Sequence, residues 1–363
     1  MSAARPRPWL TPGRILQLLL VLGVLAFLFL HRGEWPKIVD AARSAQPGFL
    51  LLAATLEACW LVAFGVDFWA GMRMVGINLP VRRGVVVAWG ANFVNMLVKS
   101  GGMGGLAIWL REGGRRGHPP ARVTLGYLFT IALGHTMFLL LLAMAVAVLW
   151  LRGGAGRVEL IASAATFAAL STALAFGVWV LVSPTRIARG YGIAARVINR
   201  AARIVRRRQV LDPEGGAHAG EEARAVLDLV RGAPSRAFPA IMASMARETL
   251  AVFVLWATLR AFYPGATPVL ALLAYVLTIL FSYASVLPGG LGVVEVSLTA
   301  LLVRSGMGGA EAGLATIIYR LAEFWSPLLT GAVASRFAVG GAPASVNDEA
   351  LRAGAVGMQK PPL

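Results

Sequence analysis

Apolar residues run along this chain in long blocks, separated by short arginine-rich or glycine-rich interruptions. Blocks at about 14–30, 49–71, 123–151, 158–183, 238–262 and 312–337 reach or approach the roughly 20 residues that a helix needs to cross a ~30 Å hydrocarbon core. Each predicts a full membrane span. Two further segments, 84–110 and 268–303, are equally apolar but carry a glycine-rich break near the middle. Backbone that leaves the helix inside a bilayer must satisfy its N–H and C=O groups within protein or a wet cavity. The pattern therefore predicts an all-α, polytopic helical membrane protein with about six full spans and two re-entrant, glycine-broken hairpins.

The polar interruptions orient this arrangement. Arg5, Arg7 and Arg14 precede the first span, Arg73, Arg82 and Arg83 follow the second, and Arg111, Arg115, Arg116 and Arg122 precede 123–151. The stretch 184–237 carries eleven arginines. Placing all of these in the cytosol satisfies the positive-inside rule and turns 31–48 and 152–157 outward. Segment 84–110 must then enter and leave on the cytosolic side, whereas 268–303 enters and leaves from the outside if the C-terminus is cytosolic.

The two breaks can be superimposed: "LVKSGGMGGLAIWL" at 97–110 lies on "SVLPGGLGVVEVSL" at 285–298. Gly101, Gly102 and Gly104 then match Gly289, Gly290 and Gly292, with Pro288 ahead of the second set. Paired breaks of opposite sidedness are the trace of an inverted-topology repeat, in which transporters place substrate at discontinuous helices. The expected organisation is a first membrane half at 1–183, a basic cytosolic amphipathic loop at 184–237, a second half at 238–337 and a disordered tail at 338–363. Within the loop, Arg189, Arg196, Arg200, Arg203 and Arg207 form one helical stripe, suited to anionic lipid at the interface.

Composition strengthens the membrane reading. Of 363 residues, 58% are hydrophobic and 14% charged, and the mean hydropathy is +0.71. The net charge of +17 sits beside apolar spans, so it reads as topology and headgroup contact and not as a nucleic-acid surface. A single cysteine, Cys59, excludes an internal disulfide, a CxxC redox pair and a cysteine metal cluster. The N-terminus has a basic start and an apolar run but no small-x-small cleavage site, which predicts an uncleaved first helix.

Five charges fall inside or beside predicted spans: Arg247, Glu248, Glu295, Arg320 and Glu323. Unpaired, they would cost on the order of 12–17 kcal/mol on insertion scales, so they must face one another or water. Glu295 is expected to pair with Arg320 or Arg247, forming a polar centre between the second hairpin and the last helix. The two readings of this set, structural ion pairs and cavity lining, both stand at this point. Asn92, Asn95 and Lys99 share one face of the first hairpin's leading helix. They suit either cavity lining or interhelical hydrogen bonds, with Lys99 able to snorkel. Half-helix N-termini at the breaks offer an anion site. Asp67 reads as a snorkelling residue near a span end, and Glu57 as a deeper carboxylate without a partner in sequence. Tyr319 and Trp325 read as packing or interface residues, and His135 as packing.

The remaining chemistry is sparse. "GMGGLA" at 102–107 fits a loose dinucleotide pattern, but it follows no soluble strand and has no acidic partner downstream. There is no P-loop, HExxH motif or nucleophile elbow. No catalytic residue, metal ligand or cofactor is expected, and transport, if any, would be downhill or coupled to an ion gradient.

"LPGGLGVVE" followed by "IIYRLAEFWSPLLTG" resembles the transmembrane domain of lysylphosphatidylglycerol synthase/flippase proteins and their stand-alone flippase-like relatives. The resemblance rests on Pro288, Gly289, Gly290, Gly292, Glu295, Tyr319, Arg320, Trp325 and Pro327. Upstream, Asn95, Gly101, Gly102, Gly104 and Arg111 fit more loosely, "KSGGMGG" replacing a proline-containing turn. The resemblance implies a bacterial inner-membrane protein that moves a phospholipid or lipid-linked headgroup between leaflets. Residues 338–363 leave no room for the aminoacyltransferase domain of the bifunctional relatives, so synthase activity is not expected. The alternative is an accessory protein or transferase in polyprenyl-phosphate-sugar or hopanoid-type lipid metabolism. Candidate partners are membrane lipids, an anionic or lipid-linked substrate, a separately encoded lipid-modifying enzyme and a second copy of the chain.

Overall fold

A computed structural model describes residues 35–97, 103–151, 157–204, 215–285 and 287–339. The expected first span, the tail beyond 339, and Lys99, Gly101 and Gly102 lie outside the described residues. Those described are helical almost throughout, with no strand among them. In chain order the helices are α1 (Trp35–Ser44), α2 (Pro47–Met74), α3 (Val81–Leu97), α4 (Leu106–Arg115), α5 (Pro120–Leu151), α6 (Arg157–Leu181) and α7 (Pro184–Ile204). They continue as α8 (Gly215–Gly232), α9 (Phe238–Phe262), α10 (Pro268–Ala284), α11 (Val293–Arg304), α12 (Gly309–Arg320) and α13 (Ser326–Val339).

Four stretches among the described residues are long and apolar enough to cross a membrane: Pro47–Met74, Pro120–Leu151, Ala164–Leu181 and Pro234–Phe262. Their outer faces keep large apolar side chains in the open; Leu51 is 70% exposed and Trp150 67%. Water would not tolerate such a surface, and acyl chains would. Prolines open α2, α5 and α10, where a missing N–H costs no helical bond. The expected 312–337 span runs from α12 into α13 through a π turn, Leu321–Trp325. An inserted turn of this kind widens the helix and redirects the side chains on either side.

Both glycine-rich segments are helix–break–helix. In the first, α3 and α4 pack on each other across a short 3₁₀ turn, Met103–Gly105. In the second, α10 and α11 do the same across Pro288–Gly290. Gly289, Gly290 and Gly292 take φ of 62°, 70° and 83°. This left-handed region strains any side-chain-bearing residue, so the Pro-Gly-Gly-x-Gly sequence is a requirement of the turn.

Packing exchanges the halves. Helices α2 and α9 lie along each other, α3 packs on α13, and α10 packs on α5. Each hairpin is thus supported by the helix that follows the other one, as an internal two-fold would produce. The α2–α5 approach depends on small residues, with Gly71 against Thr130 and Gly126 against Met72 and Val75.

Two segments carry more structure than expected. The outward connection 31–48 contains α1, whose end is tied down by the Gln46 N–H donating to the Ala261 carbonyl at 2.8 Å. The basic loop 184–237 contains two helices, α7 and α8, packed on each other. Ala223, Val226 and Leu227 of α8 are buried, and that apolar face is why the segment folds back. Arg122 of α5 and Glu222 of α8 form an ion pair at 3.0 Å. Arg83 pairs with Glu112 at 2.5 Å and reaches the Phe337 carbonyl, while Arg116 pairs with Glu112 at 3.0 Å. Burial opposes the Glu112 charge, but Arg83 and Arg116 outweigh it and hold this carboxyl below the usual range.

Candidate functional site

A cavity of about 340 Å³ opens where α2, α9 and the two hairpins meet. Its polar wall consists of Glu57, Asn92, Arg247, Glu248, Tyr275, Tyr283, Tyr319 and Glu323, and its apolar wall includes Trp60, Phe64, Phe324 and Pro327. That volume lies at the lower end of small-ligand sites, enough for a headgroup without its acyl chains.

Arg247 sits mid-way along α9, where Gly134 of α5 leaves space for it; a Cβ at position 134 would collide with the guanidinium. Its Nη1 lies 2.8 Å from Asp67 Oδ2 and its Nη2 donates to Glu248 Oε1 at 2.8 Å. Ser244 donates to the other Asp67 oxygen at 2.6 Å, and the Tyr275 hydroxyl donates to Glu248 Oε2 at 2.7 Å. Asp67 is fully buried, so the snorkelling expected of it is corrected. Its helix continues past it to Met74, which puts the carboxylate inside the bundle and leaves Arg247 as its counter-charge.

Arg320 organises the second hairpin. Its Nε donates to Glu295 Oε1 at 2.8 Å, its Nη2 to the Gly289 carbonyl at 2.8 Å, and its Nη1 to Glu323. The expected Glu295–Arg320 pair is therefore present, and the same guanidinium satisfies a carbonyl freed by the glycine break. Glu295 and Arg320 stand behind the cavity wall, while Glu323 reaches it through the π turn. Phe324, also on that turn, lies against Gly289, with the Arg320 guanidinium 4.9 Å from its ring centre. The anion site expected at the start of α11 is already occupied: the Gly292 N–H donates to Glu295 Oε2 at 2.7 Å. A carboxylate within the chain caps that N-terminus.

The first hairpin is held differently. Asn95 Oδ1 accepts from the Gly105 N–H at 2.5 Å, and its Nδ2 donates to the Tyr127 hydroxyl at 2.9 Å. Asn95 is a tether, while Asn92 lines the cavity. Replacing Asn95 with leucine should speed hydrogen exchange of the Gly105 amide about fivefold, the value of one hydrogen bond of ~1 kcal/mol. An unchanged rate would show that the turn does not depend on it.

Sequence reasoning missed three cavity groups. Tyr275 and Tyr283 sat unremarked in an apolar run, and Tyr319, read as packing, lines the cavity with a buried hydroxyl that has no hydrogen-bond partner. Glu57, likewise on the wall, has an unpartnered Oε1. A tyrosine in a span meant for lipid would be placed at the headgroup level; Tyr275, eight residues into α10, was the available signal.

The fold and cavity define a class: a polytopic helical membrane protein holding an apolar-walled cavity with charged side chains between two broken helices. This chain belongs to the family described as the lysylphosphatidylglycerol synthase TM region, whose model matches residues 14–331. None of the curated proteins searched matches the chain.

Proposed function

We propose that this protein carries the polar head of a phospholipid or lipid-linked molecule between the leaflets of a bacterial inner membrane, without changing it chemically. The observation that carries this reading is the cavity itself, which reaches Gly289 of the second helix break and the leading helix of the first hairpin and presents two buried, unpartnered polar atoms, Glu57 Oε1 and Tyr319 Oη. Buried polar groups of this kind are ordinarily satisfied, and a headgroup would satisfy them. Three carboxylates on the wall, Glu57, Glu248 and Glu323, face one arginine, Arg247. Such a surface favours a headgroup that bears an amine as well as its phosphate. Acyl chains would stay outside, along the exposed apolar faces. Family membership supports a lipid-related role. In this reading the arginine-rich end, with the α7–α8 pair, faces the cytosol.

The test is reconstitution. Purified protein in liposomes should move a fluorescent phosphatidylglycerol or an amine-bearing phospholipid to the opposite leaflet, read by a membrane-impermeant quencher, with the lipid unchanged by mass spectrometry. A chemically altered lipid would favour a membrane-embedded transferase. Neither movement nor alteration would leave a scaffold for a separately encoded enzyme.

A further inference from the structure

Among the cavity carboxylates, Glu57 alone lacks a cation. Arg247 is taken up by Asp67 and Glu248, and Arg320 by Glu295, Glu323 and the Gly289 carbonyl. Glu57 lies ten residues into the 28-residue helix α2, ~15 Å from its start at 1.5 Å per residue. It is 7% exposed, and its Oε1 has no hydrogen-bond partner. Aromatic rings, Trp60 and Phe64, flank it on its own helix. The other groups around the same cavity come from each packed element: Arg247 and Glu248 from α9, Tyr275 and Tyr283 from α10, Tyr319 from α12, Glu323 and the neighbouring Ser326 from the π turn and α13, and the neutral Asn92 from α3. From α5, His135 is directed to the Ile131 carbonyl and the Tyr283 ring.

An ionised carboxylate withdrawn from water needs a counter-charge or it takes up a proton. A metal ion would need several oxygens together, and no cluster of three or more suitable side chains occurs among the described residues. A proton needs one.

We propose that Glu57 is a proton-binding site within the cavity: it holds a proton while the cavity is empty of lipid and surrenders it to cavity water when a positively charged headgroup arrives. The exchange balances, one ammonium replacing one proton on the same carboxyl group. On the flippase reading, with which this inference stands as a refinement, headgroup movement in one direction would be coupled to proton movement in the other.

Carbodiimide reacts with protonated carboxyl groups at buried membrane sites, so it reports the proton directly and on the unaltered protein. The full-length chain in detergent is treated with dicyclohexylcarbodiimide across mildly acid to alkaline pH, and labelled peptides are quantified by mass spectrometry. Glu57 should be labelled at neutral pH, and its labelling should fall about tenfold or more toward alkaline pH as the proton is lost. A short-chain phosphatidylethanolamine should suppress it, and a short-chain phosphatidylglycerol should suppress it much less. Absent labelling at neutral pH, or labelling indifferent to pH, overturns the proton site. Equal protection by both lipids overturns the exchange with an ammonium group. In liposomes, Glu57→Gln should slow movement of the amine-bearing phospholipid and leave what remains indifferent to pH; movement by the native chain that is already indifferent to pH would refute the coupling while leaving the flippase reading intact. Labelling as expected in a protein that moves no lipid would do the reverse.

Discussion

Replacing Arg320 with methionine should destabilise the protein by about 3–5 kcal/mol, the usual cost of removing one partner from a buried ion pair, and should stop lipid movement. The side chain is 4% exposed and serves two carboxylates and one carbonyl at once. Without it, Glu295 and Glu323 face each other with no positive charge between them, and the Gly289 carbonyl loses the donor that compensates for the helix break. Thermal unfolding in detergent measures the loss. Glu295→Gln should cost less, because Glu295 is about one-third exposed and glutamine still accepts from Arg320. The double variant should fall short of the sum by 0.5–3 kcal/mol, as for residues in direct contact. Strictly additive losses would reject the pair as an energetic unit. Restoring stability with Glu295→Gln in the methionine background, without restoring transport, would separate the structural role of Arg320 from its placement of Glu323.

Arg247→Leu carries the second large effect, again about 3–5 kcal/mol. Asp67 is wholly buried, and its other side-chain partner among the described residues is Ser244. An uncompensated carboxylate there would also separate α2 from α9, the two helices that join the halves. Lysine at 247 should recover only part of the loss. A point charge cannot hold two carboxylates in the fixed geometry of a planar guanidinium. Asp67→Leu added to Arg247→Leu should regain much of the stability, since well-packed apolar residues often replace buried ion pairs without penalty. If Arg247→Leu unfolds at the native temperature, the pair is ornamental and α2 and α9 associate through apolar packing alone.

Much of this architecture could be read from the chain. The long apolar blocks became α2, α5, α6 and α9, because in a bilayer length and hydropathy nearly suffice to specify a spanning helix. The glycine breaks were visible because few residues other than glycine accept the dihedral angles found at 289, 290 and 292. Glu295 and Arg320 could be matched because an isolated charge in an apolar segment demands a partner, and these segments are adjacent in sequence. Asp67 and Arg247 are not. They lie on helices from opposite halves, and no periodicity within either helix reveals which residue of the other it meets. The π turn was equally hidden, since Leu321–Trp325 has the composition of an ordinary helix, yet it brings Glu323 to the cavity and Phe324 to Gly289. The apolar face of α8 was obscured by its charged neighbours, so within 184–237 only the arginine stripe of α7 could be read as helix.

The pairing of α3 with α13 has a bearing on biogenesis. The two helices lie near opposite ends of the described chain, so the surface that α3 needs does not exist until nearly all of the protein has left the ribosome. At ~5–20 residues per second, that delay is on the order of tens of seconds. During it the first hairpin rests on α2 and α5 alone, with the face that α13 will cover left open to lipid.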